Sequence, residues 1–264
     1  MKIVKMIVGI ITVIQCVGCS VQPLAAIPSV QAVAMDTSDV KVIETHTHED
    51  EHASSPVITE VSVEKSAKQK FVEELISKFP AHLSTSLTLI QVNDSFGVRG
   101  LSNGSRMYIN LGKMSDQELS AVVIHELGHV IDLGYLLGKE TPSPFMDGTS
   151  QVYANDPSVG FYSISWEASN KRKSRTPLDY VSGYAMSDPF EDFAESFAYY
   201  VLQGQNFRKM AKENEALKQK YSFIKEFIFQ NKEFDLGEAA YISDGRSYDV
   251  TVLPYKFENL IAAL

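Results

Sequence analysis

The motif His-Glu-Leu-Gly-His at residues 125–129 constrains this chain more than any other part of its sequence. It lies in a segment that opens with the capping box Ser115-x-x-Glu118 and continues with apolar residues at every third or fourth position, the pattern of a helix. Because residues four apart lie one turn apart on a helix, both imidazoles can bind one Zn²⁺ at about 2.0–2.1 Å. The sequence therefore predicts a zinc site formed by His125 and His129.

The glutamate inside the motif predicts hydrolytic chemistry. Glu126 is rotated by roughly 100° from His125 around the helix, so its carboxylate would lie beside the metal. From there it can take a proton from water as a general base. We predict a zinc-dependent endopeptidase that hydrolyses peptide bonds in proteins or peptides. The alternative is that both histidines are structural and bind no metal.

The third metal ligand can be found by elimination. No histidine follows His129, and Asp132 and Tyr135 stand where a metzincin has Gly and His, which excludes that class. The ligand must then be a carboxylate, and Glu191 and Glu195 share a face of a second predicted helix. We assign Glu191 as the ligand and Glu195 as the acid that orients a ligand imidazole through its far nitrogen. The reverse assignment is the alternative.

The spacing of these residues resembles a known group of gluzincin metallopeptidases, the catalytic domain of anthrax lethal factor and the related Pro-Pro endopeptidases. The shared pattern is His-Glu-x-Gly-His at 125–129, then Tyr184, then Glu191-x-Phe-Ala-Glu195, and it covers about residues 107–202. This resemblance implies that Tyr184 donates its phenol hydrogen to the oxyanion. The connection between the two halves of the pattern is longer here, so the pocket wall and substrate preference do not carry over.

The surrounding sequence predicts an α+β fold, with a zincin-like metallopeptidase domain over residues 66–264. We expect a small mixed or antiparallel sheet, the motif-bearing helix and a helical C-terminal part. Leu87–Val92 and Met107–Leu111 are predicted to pair antiparallel, with Met107–Leu111 as the edge to which an extended peptide adds. The other predicted elements are helices at 71–79, 162–169, 188–204 and 207–229 and a late strand at Tyr248–Leu253.

Three further features have competing interpretations. Asp132 lies one turn beyond His129 and is expected to support a ligand imidazole, unless it is a helix-face acid or itself a ligand. Trp166, the only tryptophan, is expected to be a packing anchor rather than a substrate-stacking surface. The basic run at 171–175 is expected to be a solvated loop rather than a docking site for acidic substrates.

The N-terminus predicts export and lipid anchoring. Lys2 and Lys5 precede an apolar stretch, and Gly18-Cys19 resembles the lipobox of bacterial lipoproteins, in which the cysteine is acylated. We predict a signal peptide at 1–18 and a protein tethered to a bacterial membrane through Cys19, or alternatively a secreted protein. The only other cysteine precedes the cleavage point, which excludes cysteine chemistry in the mature chain.

Residues 19–65 have the composition of a flexible tether, with a cluster of His46, His48 and His52 that could bind metal weakly or be an ordinary polar linker. The net charge of −9 and the lack of a long basic stripe exclude nucleic acid as an expected partner. We expect a monomer that binds protein or peptide substrates. A non-catalytic surface lipoprotein and a toxin-like, host-directed protease are the alternatives.

Overall fold

Helix α2 (Asp116–Val130) lies at the centre of the computed structural model and carries the 125–129 motif. It begins where the side chain of Ser115 accepts a hydrogen bond from the Glu118 N–H at 3.2 Å. Every residue from Leu119 to Val130 is buried. A helix that is buried on all sides must be covered by several other elements.

The structure describes residues 66–264 except 95–96, 174–175 and 238–244. The predicted lipidation site Cys19, the tether and the histidine cluster at 46–52 lie outside the described residues. The remaining helices are α1 (Ala67–Ser77), α3 (Ser158–Ser165), α4 (Pro189–Leu202), α5 (Gly204–Glu213), α6 (Glu215–Phe223) and α7 (Phe257–Ala263). The strands are β1 (Leu89–Asn93), β2 (Gly100–Ser102), β3 (Arg106–Asn110), β4 (Pro142–Asp147), β5 (Ser150–Tyr153), β6 (Trp166–Ala168) and β7 (Lys171–Arg172). Helices together with small sheets make this an α+β protein, as the sequence predicts.

The main sheet is mixed and has the order β1-β3-β2. Strand β3 pairs parallel with β1, in the register Leu89 to Arg106, and antiparallel with β2, in the register Gly100 to Ile109. The predicted antiparallel pairing of the first two segments is therefore wrong, and so is the prediction that Met107–Leu111 forms an edge. The reason is that β2 forms a hairpin with β3, so β3 lies in the middle and runs in the same direction as β1.

Helix α4 is the second element that the site requires. The Asp188 carboxylate accepts hydrogen bonds from the N–H groups of Phe190 and Glu191 at 2.9 Å each, and Pro189 occupies the first turn. This is the start signal predicted from the sequence. The cap fixes the backbone of the turn that bears Glu191.

The C-terminal part departs from the prediction in two places. The predicted helix at 207–229 is divided at Asn214, whose backbone is extended and whose side chain caps α6 by accepting from the Leu217 N–H at 2.9 Å. The predicted strand at Tyr248–Leu253 is wrong. Asp249 Oδ1 accepts from the N–H and hydroxyl of Thr251 at 2.7 and 2.6 Å, which bends the backbone into a turn.

A buried ion pair holds α6 against α4. The Lys220 ammonium lies 2.8 and 2.6 Å from the two carboxylate oxygens of Asp192, and both side chains are fully buried. The indole N–H of Trp166 donates to the same carboxylate at 2.9 Å. Trp166 is itself buried, as expected of a packing anchor. Among the helices of the described residues, none has the length and apolar composition that a bilayer crossing requires.

Candidate metal centre

Helices α2 and α4 meet at their smallest residues. A Cβ atom added at Gly128 would lie 2.9 Å from the Cα and 3.3 Å from the Cβ of Ala194. A side chain at Gly128 would therefore push the two helices apart. The glycine of the motif and the alanine between the two glutamates allow the close approach that brings Glu191 and Glu195 to the histidines.

Three side chains converge at this crossing. The Nε2 atoms of His125 and His129 lie 3.3 and 3.4 Å from Glu191 Oε2. The ligand atoms of all three residues lie within 4.8 Å of one another. Two ligands at about 2.0–2.1 Å from a tetrahedral ion are separated by roughly 3.3 to 3.4 Å. The geometry thus matches two histidines and one carboxylate around one small ion.

Burial and charge shift the pKa values of all three groups. Burial alone would raise the pKa of the Glu191 carboxyl, but the two imidazoles that face it outweigh burial and hold this pKa well below its usual range. Burial would lower the pKa of both imidazoles. The carboxylates that face the imidazoles reverse this effect. Glu191 raises the pKa of both histidines, and Glu195 raises that of His125 further. Without a metal, protons therefore compete for the positions that a cation would take.

Glu195 contacts the far side of His125. The Nδ1 of His125 donates to Glu195 Oε1 at 2.9 Å, which leaves Nε2 directed at Glu191. The second oxygen of Glu195 accepts from the Ser182 hydroxyl at 2.5 Å and from the Val250 N–H at 3.0 Å. Glu195 is fully buried. Such an arrangement fixes the tautomer and the ring orientation of His125.

Glu126 lies beside this group with one free oxygen. Its Oε2 atom is buried and has no hydrogen-bond partner among the described residues. On its other side lies Gly100 of β2, where an added Cβ would be 2.7 Å from both Cγ and Cδ of Glu126 and closer still to Oε1. The strand backbone thus limits where this carboxylate can lie.

Tyr184 approaches the centre from the short turn that precedes α4. Its hydroxyl donates to Glu191 Oε1 at 3.0 Å, and its ring centroid lies 6.1 Å from that of His125. Burial raises the pKa of the Tyr184 phenol, and the nearby charge of Glu191 raises it further. The phenol therefore keeps its proton at neutral pH and can act as a hydrogen-bond donor.

Asp132 has a different partner from the one expected. Both of its carboxylate oxygens accept from the hydroxyl of Tyr162, at 2.6 and 2.7 Å. The side chain is buried, and burial raises the pKa of Asp132 to about 7. Asp132 thus joins the turn after α2 to α3 through Tyr162, and its role as support for a ligand imidazole stays a prediction.

A cleft of about 590 Å³ opens over the three converging side chains. Its walls include β2 and its approach, the first turn of α4, and residues 248, 249 and 251. The sequence reasoning missed both Gly100 and the C-terminal residues of this wall. A glycine at the start of a short strand was the one available signal for a close approach. Residues 171–173, the described part of the basic run, do not line the cleft: Lys171 pairs with Glu167, and the Lys173 amine donates to the Ser163 carbonyl. Residues 174–175 lie outside the described residues.

The side chains present fit a zinc ion. Two imidazoles and one carboxylate form the donor set of a catalytic zinc site that keeps a further position open. Among the described residues, Glu126 Oε2 is buried without a hydrogen-bond partner, and Glu191 Oε2 faces the Nε2 atoms of the two imidazoles. A buried carboxylate oxygen without a partner is costly unless a cation or a water compensates it.

Comparison with known proteins agrees with this chemistry. A family model described as "Putative zinc-binding metallo-peptidase" matches residues 91–236. Neither the curated proteins nor the solved structures gave a match. The family match extends over more than half of the 264 residues and includes the three converging side chains. The chain therefore belongs to this family of zinc-binding metallopeptidases.

Proposed function

We propose that the chain is an exported zinc-dependent endopeptidase in which His125, His129 and Glu191 hold the ion. Family membership supports a zinc-dependent protease at a coarse level. The observation that carries the finer proposal is the approach of both Nε2 atoms to Glu191 Oε2, with the unpartnered Glu126 oxygen nearby. The zincin-like fold is part of this proposal.

The chain's own residues would divide the reaction among them. A zinc ion bound here supplies a Lewis acid that acidifies water and polarises a carbonyl. Glu126 accepts the proton of the attacking water at its free Oε2 and later passes it to the leaving amine. Glu195 holds His125 in the tautomer that leaves Nε2 free. Tyr184, by its resemblance to the lethal factor group, turns its phenol hydrogen from Glu191 to the oxyanion.

Strand β2 offers the surface for an extended substrate. It lies at the sheet edge, lines the cleft and contacts Glu126 through Gly100. The Leu101 side chain, on the other face of the strand, is 58% exposed. An extended peptide can add to such an edge through main-chain hydrogen bonds. We therefore propose β2 as the strand along which the substrate lies, in place of the Met107–Leu111 edge expected from the sequence.

The test is Glu126→Gln, compared with Asp116→Asn of the same helix as control, because Asp116 pairs with Lys68 and does not line the cleft. We expect Glu126→Gln to bind zinc as the wild type does and to lose peptidase activity by at least a hundredfold on a peptide library read by mass spectrometry. Unchanged turnover would show that Glu126 is not the base. A wild-type protein that binds zinc and cleaves nothing in the library would favour a binding lipoprotein without catalysis.

Export and lipid anchoring through Cys19 complete the proposal. It rests on the sequence pattern at residues 1–19 alone. The measurement is metabolic labelling with a radioactive fatty acid in a bacterial host, with Cys19→Ser and Cys16→Ser compared. Label that persists in Cys19→Ser would contradict the anchor.

A further inference from the structure

Residues 247–251, which we name the C-terminal segment, contact two different parts of the candidate metal centre. They lie beyond the region 91–236 that the family model matches. Four residues of this segment contact the turn that bears Tyr184, Glu195 or the approach to β2. The segment therefore bears on the site although it is far from the motif in sequence.

The backbone of the segment holds the tyrosine turn. The N–H of Gly183 donates to the carbonyl of Ser247 at 2.8 Å, and the N–H of Tyr184 donates to the carbonyl of Tyr248 at 2.6 Å. Two consecutive amides are thus bound to two consecutive carbonyls. This pairing fixes the start of the turn whose side chain reaches Glu191.

The segment is anchored on its other side as well. Asp249 forms an ion pair with Arg99, the residue before β2, and the Val250 N–H donates to Glu195 Oε2 at 3.0 Å. Asp249 also closes the turn with Thr251 described above. Because of these anchors, the position of Tyr248 is set independently of its own side chain.

The contacts described so far involve the backbone of Tyr248 and do not account for its aromatic side chain. Its side chain is 72% exposed, so burial does not explain an aromatic residue. Its ring centroid lies 5.8 Å from that of Tyr184, whose ring in turn lies 6.1 Å from that of His125. The Tyr184 ring therefore has two ring neighbours, His125 and Tyr248. Removing the Tyr248 ring would take away one of these two ring contacts.

We propose that Tyr248 is a positioning residue, which holds the phenol of Tyr184 in place for the reaction. This inference rests on the proposed role of Tyr184. Tyr248 acts through the tyrosine ring that it contacts, and it donates no proton itself. The substrate needs no contact with Tyr248 for this effect.

The test is a double-mutant cycle on Tyr248→Ala and Tyr184→Phe, with Val252→Ala as control. Val252 lies in the same turn and is 59% exposed, but it does not line the cleft. An aromatic pair of this kind corresponds to about a three- to tenfold change in rate. We expect Tyr248→Ala to lower kcat by about that factor with KM within twofold, and Tyr248→Phe to restore kcat. In the Tyr184→Phe background, Tyr248→Ala should have no further effect, because no phenol hydrogen remains to be positioned. Equal losses in both backgrounds would overturn the proposal.

A second measurement needs no activity. In the zinc-free protein we expect the Tyr184 ring, followed by NMR of labelled tyrosine ring carbons, to flip at least about threefold faster in Tyr248→Ala than in Val252→Ala. Equal flip rates in these two variants would overturn the positioning role even if the protein cleaves peptides. A zinc-loaded wild type without activity, together with faster ring flips in Tyr248→Ala, would refute the proposed function and leave the positioning role supported.

Discussion

Replacing Gly100 by alanine tests how the strand backbone constrains Glu126. An added Cβ would lie 2.3 Å from Glu126 Oε1 and 2.7 Å from its Cγ and Cδ atoms, whereas ordinary contact begins at 3.4 Å. The carboxylate oxygen must therefore retreat by about 1.1 Å or more. Gly100 has no positive φ, so alanine fits the backbone itself.

The expected cost follows from this displacement. A shift of about 1 Å in a catalytic group can lower the rate by about a hundredfold. We expect kcat to fall by 10- to 100-fold in Gly100→Ala, which corresponds to about 1.4–2.7 kcal/mol of barrier. Zinc affinity should stay within about threefold, because Glu126 is not one of the three converging ligands. The free energy of unfolding should fall by about 1–3 kcal/mol, since the added methyl group overpacks against a buried side chain.

Gly97→Ala is the matched control, because Gly97 also lines the cleft and an added Cβ there would have nothing within 4 Å. The assay is steady-state cleavage of one peptide from the library, with zinc titration and thermal unfolding of each variant. If Gly100→Ala keeps its kcat within threefold, the contact with Glu126 does not control catalysis. Equal losses in both variants would point to the loop as a whole instead of this contact.

Three other predictions concern charge. The pKa values of His125 and His129 are raised in the metal-free site, so zinc must displace protons to bind. In competition titrations, the apparent zinc affinity should therefore rise by about one to two powers of ten per pH unit between pH 5.5 and 7. An affinity that does not change with pH would contradict this. Burial raises the pKa of Asp132 to about 7, above its usual 3.8, so its contribution to stability is present below about pH 4 and is lost as the pH rises to 7. In urea unfolding of the zinc-free protein, the unfolding free energy of the wild type should fall across that pH range by up to about 4 kcal/mol more than that of Asp132→Asn. If both unfolding free energies change with pH in parallel, the raised pKa does not belong to Asp132. Lys220→Met leaves the Asp192 carboxylate buried without its partner, so it should lower the free energy of unfolding by about 3–5 kcal/mol. The control Lys218→Met, at an exposed position, should lower it by less than about 0.5 kcal/mol. Equal losses in the two variants would show that the buried pair contributes nothing.

The two helices that carry the candidate site could be predicted from sequence because their start signals are local. Ser115 and Asp188 cap α2 and α4, and both helices begin there. The helix predicted at 162–169 begins earlier, at Ser158, and ends at Ser165, where strand β6 follows, and α7 was not predicted. The break at Asn214 was missed because an asparagine within a helical pattern only becomes a cap when its backbone is extended. The pairing of β1 with β3 was missed because β2 has three residues, too few for a strand pattern.

Convergence of the candidate ligands was also predictable, because helix spacing and elimination lead to His125, His129 and Glu191. The structure brings these residues together, while their role in binding zinc stays a proposal. Gly100 and Tyr248 could not be assigned from sequence, since neither forms a spacing pattern with the motif. Their contacts depend on how segments that are distant in sequence pack together, and the residues next to Gly100 and Tyr248 in the chain do not indicate that packing.

The contacts around the cleft join residues that are far apart along the chain. His125 and Glu195 are separated by 70 residues, and Arg99 and Asp249 by 150. Contacts between residues so far apart form late in folding, because the entropy of loop closure is lost before the contact is gained. The contacts that the candidate metal centre makes through Glu195 and the Tyr184 turn are therefore complete only once residues 247–251 have docked.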